Sequence, residues 1–212
     1  MIEQIVSGFP YKPEKGCFGF SSCILIRDSK NILFDTGGYN VRSVIKSYLN
    51  DIDCVVISHL HFDHCSNLDL FIEKKIPIYI SAKELISYNE NKDNDSDLFS
   101  YFECIKDKLN IIEIDNVFQL SNKVKIIFTL GHTNGHISLE VVDGSNLVLL
   151  AGDSIKSYND YIDKNSYGNA VNPKKYLDTK KIIKKKYDII YPGHDSVIIN
   201  GKRGIQMELR QF

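Results

Sequence analysis

Three imidazoles and a carboxylate stand within six consecutive positions of the chain, in the run Ser58-His59-Leu60-His61-Phe62-Asp63-His64. Imidazole nitrogen and carboxylate oxygen are borderline-to-hard donors, and at this density they suit zinc, iron or manganese. Directly before them lies Cys54-Val55-Val56-Ile57, short, apolar and β-branched, which reads as a buried strand. While the chain stays extended beyond that strand, alternate side chains point the same way, so His59, His61 and Asp63 are expected to face one point. His64 breaks the alternation and faces elsewhere, which suits a second metal better than a fourth ligand on the first.

A plainer reading is a polar turn whose histidines cap a helix beginning near Asn67. The other three of the six histidines argue against it. His132, His136 and His194 each sit in a glycine-containing turn after an apolar run, and Asp153 follows Gly152 in the same way. Glycine beside a ligand lets the backbone bend or approach closely, and loops at strand ends are where rigid scaffolds present chemistry. The candidates are therefore His59, His61, Asp63, His64, His132, Asp153 and His194. That set is too large for one tetrahedral ion and right for two metals sharing a carboxylate.

The elements that must position these residues follow from periodicity. Ser22–Ile26 and Asn31–Phe34 suggest an antiparallel hairpin, ending in Asp35-Thr36-Gly37-Gly38. A lone Asp-Thr-Gly lacks the second carboxylate of an aspartic protease, so Asp35 is expected to hold a histidine or the metal loop in place. Helices are expected at Val41–Leu49, from Leu68, at Ala82–Tyr88, at Leu98–Leu109 and at Pro173–Tyr187. Further strands are expected at Ile76–Ile80, Ile111–Ile114, Val124–Leu130, Ile137–Val142, Leu147–Ala151 and Asp188–Tyr191. Polar Asn89–Asp97 reads as an exposed loop or lid, and the seven lysines of the Pro173–Tyr187 helix as a solvated face. This order predicts an α/β protein, a four-layer αββα sandwich, with residues 1–212 forming one domain.

Composition narrows the partners. A formal charge of −1, from 26 basic and 27 acidic side chains, provides no global field toward nucleic acid or an anionic membrane. Five cysteines without a Cys-x-x-Cys pair argue against a disulfide framework and for a reducing cytoplasm, with Cys65 a small hydrophobe behind the loop. No signal-peptide pattern opens the chain, and no apolar stretch reaches the roughly twenty residues that span a bilayer. A cytoplasmic protein is expected.

In order along the chain, His59-x-His61-x-Asp63-His64, Gly131-His132-Thr133-x-Gly135-His136, Gly152-Asp153 and Gly193-His194 resemble the metallo-β-lactamase-fold superfamily, from about Asp35 to His194. The resemblance implies metals at the edge of two sheets. It places His59, His61 and His132 on the first metal, Asp63, His64 and His194 on the second, and Asp153 between them; His136 is structural. Asn134 stands where many members have proline. The implied activity is hydrolysis of an ester, thioester or lactone-type small molecule by a hydroxide bridging two zinc ions, with iron or manganese as alternatives. Asp63 would orient that water and carry a proton to the leaving group.

Choosing a branch is harder, because one fold hosts many activities. Ser58–His64 and Leu33–Gly37 are similar to the N-acyl-homoserine lactonase branch, but Lys156 stands where that branch places a tyrosine; Tyr158 and Tyr161 lie near enough in sequence to substitute. Glyoxalase-II-like thioesterases carry an added C-terminal helical region for which the stretch after His194 leaves little room. Asn67–Phe71 looks similar to small relatives of which some act on RNA, so a phosphodiesterase or nuclease is an alternative, although no inserted arm or basic excess marks nucleic acid as a partner. A mononuclear-iron persulfide dioxygenase is a second alternative. Specificity is expected from segments 8–20, 89–97 and 155–170, where Phe9, Tyr11, Phe18 and Phe20 line a substrate wall, pack on the sheet edge or form a homodimer surface.

Overall fold

The computed structural model describes residues 1–9, 19–91 and 96–204. Central strands such as Cys54–Val56 are apolar at every position and have both faces to bury, and the chain builds two sheets packed face to face with helices outside. The first sheet has the order β1 (Ile2–Val6), β2 (Cys23–Arg27), β3 (Asn31–Phe34), β4 (Cys54–Val56), β5 (Pro77–Ser81), β6 (Asn110–Ile114). The second runs β13 (Lys202–Arg203), β12 (Ile198–Ile199), β11 (Ile189–Pro192), β10 (Asn146–Gly152), β9 (Ile137–Asp143), β8 (Val124–Phe128), β7 (Phe118–Gln119).

The period-2 alternation of β2 and β10 shows how each residue finds its layer. Ile24 and Ile26 of β2 face Val148 and Leu150 of β10 in the cluster between the sheets, together with Phe34, Val56, Ile126 and Leu139. Leu25 and Leu33 turn outward beneath Ile45 of α1 (Arg42–Tyr48), Tyr88 of α3 (Ala82–Asn91) and Phe102 of α4 (Ser96–Ile105). Leu149 and Ala151 turn outward against Tyr161 of α5 (Tyr158–Ile162) and Ile183 of α6 (Pro173–Lys186). Burying these side chains is the main stabilising term, at roughly 1.5–3 kcal/mol for each large aliphatic or aromatic group. The expected αββα order is what the residues produce.

Several boundaries differ from expectation for identifiable reasons. The extended run past β4 ends at His61, whose backbone (φ −66°, ψ 142°) opens the short helix α2 (Phe62–Cys65), so Asp63 leaves the alternation it was expected to share with His59 and His61. The helix expected from Leu68 is a 3₁₀ turn, Leu68–Phe71. Of the expected 89–97 loop, Asn89–Asn91 close α3 and Ser96–Asp97 open α4, while 92–95 lie outside the described residues. Strands β1, β7, β12 and β13 and helix α5 were not expected; the last two strands pair only two residues each. The lysine-rich face of α6 is solvated except at Lys184, which is partly buried and donates to the Tyr161 carbonyl, and at Lys180, which is buried and donates to Asp160 Oδ1 at 2.9 Å and to the carbonyls of Asp160, Asp163 and Ser166. Among the described residues no helix is long and apolar enough to cross a membrane.

Candidate metal centre

All seven candidate ligands gather at one end of the sandwich, because each follows the C-terminal end of a strand. His59, His61, Asp63 and His64 follow β4; His132 lies in the β8–β9 loop, Asp153 directly after β10, and His194 two residues after β11's Pro192. The parallel register of β10 on β11, with Gly152 opposite Pro192, puts Asp153 beside Gly193. A Cβ on Gly193 would sit 2.2 Å from Asp153 Oδ1, so the site tolerates no side chain there. At Gly131 (φ +134°) the backbone takes a conformation closed to other residues as it turns His132 inward.

Three nitrogens converge first. His59 Nε2 lies 2.9 Å from His61 Nδ1, and His132 Nε2 lies 3.1 Å and 3.2 Å from those two atoms. Nitrogens about 2.05 Å from a tetrahedral cation are about 3.3 Å apart, so this triangle is sized for an ion. Burial pushes the His59 and His132 imidazoles well below their usual pKa and His61 down to about 4, which keeps their lone pairs available. A second group forms beside it from Asp63, His64 and His194, whose donor atoms all lie within 4.8 Å of one another. Asp153 faces both groups. Its Oδ2 is 3.3 Å from His132 Nε2, while its Oδ1 is 3.3 Å from His64 Nε2 and 3.2 Å from His194 Nε2. Burial pushes the Asp153 carboxyl up, but His194, His64, His132 and Lys156 outweigh it and hold the group ionised.

The fit to metal ions rests on atoms that protein contacts leave unsatisfied. His64 Nε2, His132 Nδ1 and Asp153 Oδ1 are buried without a hydrogen-bond partner, and two of them point into the cluster. Such groups cost about 1–3 kcal/mol each when left unpaired. Positive ions between the imidazole lone pairs and the Asp153 oxygens would satisfy the inward-facing atoms together.

Three of the ring nitrogens facing away have partners. His64 Nδ1 donates to Asp35 Oδ2 (2.8 Å), His194 Nδ1 to the Phe20 carbonyl (3.0 Å), and His59 Nδ1 lies 2.9 Å from Ser58 Oγ. Asp35 therefore has its expected supporting role, and it also accepts from the Ser58 amide at 2.7 Å. His136 is buried between Thr129 Oγ1 and the Asp153 amide, with burial pushing it to about 3; it supports the turn and faces neither group. Cys65 packs as a hydrophobe against the core.

Two supports escaped the sequence. Glu84 of α3 is buried and joins the two loops of the first group: it accepts from Leu60 N at 3.1 Å, Thr133 Oγ1 at 2.5 Å and Gly135 N at 3.2 Å. Asp160 accepts from the Lys156 amide and Tyr176 hydroxyl and is neutralised by Lys180, which fixes the segment after Asp153. A glutamate or lysine on a helix reads as solvated, so no pattern announced either.

Lys156 reaches the cluster, with Nζ 3.6 Å from Asp153 Oδ2, and its side chain is 21% exposed. Tyr161 belongs to the apolar cluster beneath α6, and Tyr158 packs on it. Phe9 bridges to Phe20 and is 52% exposed, whereas Tyr11 and Phe18 lie outside the described residues.

Comparison with known proteins agrees with this geometry. The profile of the metallo-beta-lactamase superfamily matches residues 18–194. A protein of Methanocaldococcus jannaschii described as a "probable metallo-hydrolase" is 30% identical over 178 residues, covering 81% of this chain and 74% of its own length. An N-acyl homoserine lactonase of Bacillus cereus is 30% identical over 152 residues, 68% of this chain and 56% of the lactonase. The solved structure of an N-acyl homoserine lactone hydrolase, with N-hexanoyl-L-homoserine bound at its catalytic metal centre, superposes with a TM-score of 0.67 at 23% identity and covers 89% of both chains. At that identity the superposition shows the fold. Sequence match, αββα layering and clustered donors together establish that the chain belongs to the metallo-beta-lactamase superfamily, as one of its metal-dependent hydrolases.

Proposed function

We propose that this hydrolase binds two divalent cations and cleaves an ester, thioester or lactone bond in a small molecule. The observation that carries the reading is the divided Asp153 carboxylate, one oxygen toward His132 and the other toward His64 and His194. His59, His61 and His132 would hold one cation, Asp63, His64 and His194 the other, with Asp153 common to both. Bound there, the pair would lower the pKa of a shared water and polarise the substrate carbonyl. Two zinc ions suit the imidazole-rich set, with iron or manganese compatible.

The chain's own groups do the rest. Asp63 is the most open of the carboxylates at the centre, its side chain 16% exposed against 5% for Asp153, which supports it as the group that would take a proton and pass it to the leaving group. Lys156 sets a positive charge at the rim, which favours substrates carrying a carboxylate or phosphate. The relatives named as lactonases support a small-molecule substrate. The described cysteines are free thiols, which fits a reducing cytoplasm.

The test joins metal analysis to a substrate panel of N-acyl homoserine lactones, acyl thioesters, aryl esters and an aryl phosphodiester. Two ions per chain with turnover confined to the carboxylic esters, thioesters or lactones is expected. Preference for the phosphodiester, or a single iron with oxygen uptake, would overturn the proposal.

A further inference from the structure

We propose that Ser58 is a positioning residue: it sets the tautomer of His59 and, through a carboxylate oxygen shared with His64, links the loading of the two ion sites. The inference rests on the two-cation reading above. Ser58 is fully buried, and its hydroxyl has one proton and two lone pairs for three neighbours. These are Asp35 Oδ2 at 2.8 Å, His59 Nδ1 at 2.9 Å and His64 Nδ1 at 3.3 Å.

Proton accounting assigns the two shorter contacts. An ionised carboxylate only accepts, so the Ser58 hydroxyl proton goes to Asp35 Oδ2. His59 Nε2 is the atom that converges with His61 Nδ1 and His132 Nε2, so its lone pair must face the ion and its proton must sit on Nδ1. That N–H donates to the Ser58 oxygen. His64 is arranged in the same sense without an intermediary, Nδ1 donating to Asp35 Oδ2 and Nε2 aimed at Asp153 Oδ1. One oxygen atom, Asp35 Oδ2, thus ends two chains, one through Ser58 to the first cation group and one directly to the second.

Asp35 is held stiffly for this purpose. Its backbone takes a left-handed φ of +56°, and its other oxygen accepts from the Ser58 amide at 2.7 Å. An ion that fixes His59 therefore fixes the Ser58 hydroxyl and the Asp35 oxygen against which His64 is oriented. Without the hydroxyl, His59 Nδ1 has no acceptor among its described contacts, and the ring is free to carry its proton on Nε2, a form that cannot bind a cation.

The experiment uses metal-free full-length protein titrated with Zn2+ against a chromophoric chelator. In Ser58→Ala, affinity for the first ion should fall about 10- to 100-fold and affinity for the second should fall by a smaller factor, as outer partners of metal-binding histidines typically do. Both affinities within twofold of the parent would overturn the inference while leaving two-ion binding intact; uptake of one ion by the parent would overturn the two-cation reading and the linkage with it. A second measurement needs no variant. Imidazole 1H–15N correlation spectra of the parent should show His59 protonated at Nδ1 before and after zinc, and His59 protonated at Nε2 would refute the proposal.

Discussion

Gly193→Ala isolates the steric fit of the centre from backbone strain. Gly193 is not among the glycines with positive φ, so alanine can adopt its backbone without penalty; the methyl group itself is the perturbation. It would lie 2.2 Å from Asp153 Oδ1 and 2.9 Å from both the carbonyl carbon and oxygen of Gly152. Ordinary contact needs about 3.4 Å, so the carboxylate must retreat by about 1 Å, and the Gly152 backbone prevents the methyl from yielding instead. Asp153 Oδ1 is the oxygen aimed at His64 and His194, so its displacement opens the second group and spares the first. A shift of that size costs on the order of 100-fold in rate, and overpacking costs about 1–3 kcal/mol in stability. Metal content after gel filtration, zinc affinity and turnover on the best ester or lactone would be measured together. The expected protein is folded, keeps one ion tightly and has lost the other with most of its activity. Two ions retained with turnover within twofold of the parent would show that Asp153 does not hold the second position.

Four other perturbations test separate parts of the site. His61→Ala should abolish retention of the first ion and activity together, and full activity in that variant would refute the ligand assignment. Lys156→Met should raise KM for carboxylate- or phosphate-bearing esters about fivefold, from about 1 kcal/mol for a partly exposed charge contact, with little change for neutral esters; equal effects on both would remove Lys156 from substrate binding. Glu84→Ala leaves Leu60 N, Gly135 N and the Thr133 hydroxyl without their acceptor, so chemical denaturation should show a loss of about 3 kcal/mol, and a loss under 1 kcal/mol would mean that α3 does not brace the two loops. Stripping the ions with a chelator should lower the melting temperature by about 5–10 °C relative to protein in zinc at about 100 times Kd, and an unchanged transition would deny that ions bind the folded state preferentially.

Most of the architecture was legible because its signals are strong ones. The strands at 54–57 and 147–151 are apolar on both faces and the one at 124–130 on the face of Val124, Ile126 and Phe128, and each is followed by a glycine or histidine turn that carries a ligand. Strand alternation misplaces Asp63 because a four-residue helix has no periodicity to detect; the family pattern puts it in the group with His64 and His194, where the structure brings it. Glu84 and Lys180 were invisible for a different reason. Their helices are amphipathic, and a charged residue on such a helix reads as solvated unless its partners, here the β4 and β8–β9 loops and the Asp160 segment, are known to close over it. Ser58 carries no sequence signal of its own, because the group that gives its hydroxyl a role, Asp35, lies 23 positions away.

The placement of the centre follows from an energetic conflict in this fold. Strands that are buried on both faces admit few polar side chains along their length, so most polar groups collect where the strands stop. Here the two sheets end together, and the ligand-bearing loops fall in a region where His59, His64 and His132 are fully buried. Burial makes the His59 and His132 imidazoles poor bases and good ion ligands, while the same burial leaves Asp153 reliant on its neighbours to stay charged. Supports such as Asp35, Glu84 and Lys180 brace His64 and the ligand-bearing loops from outside, but none of them reaches the inward-facing His64 Nε2 or Asp153 Oδ1. A centre preorganised from outside and unsatisfied from within gains most from cations, which is why loading, stability and hydrolysis should rise and fall together across the variants above.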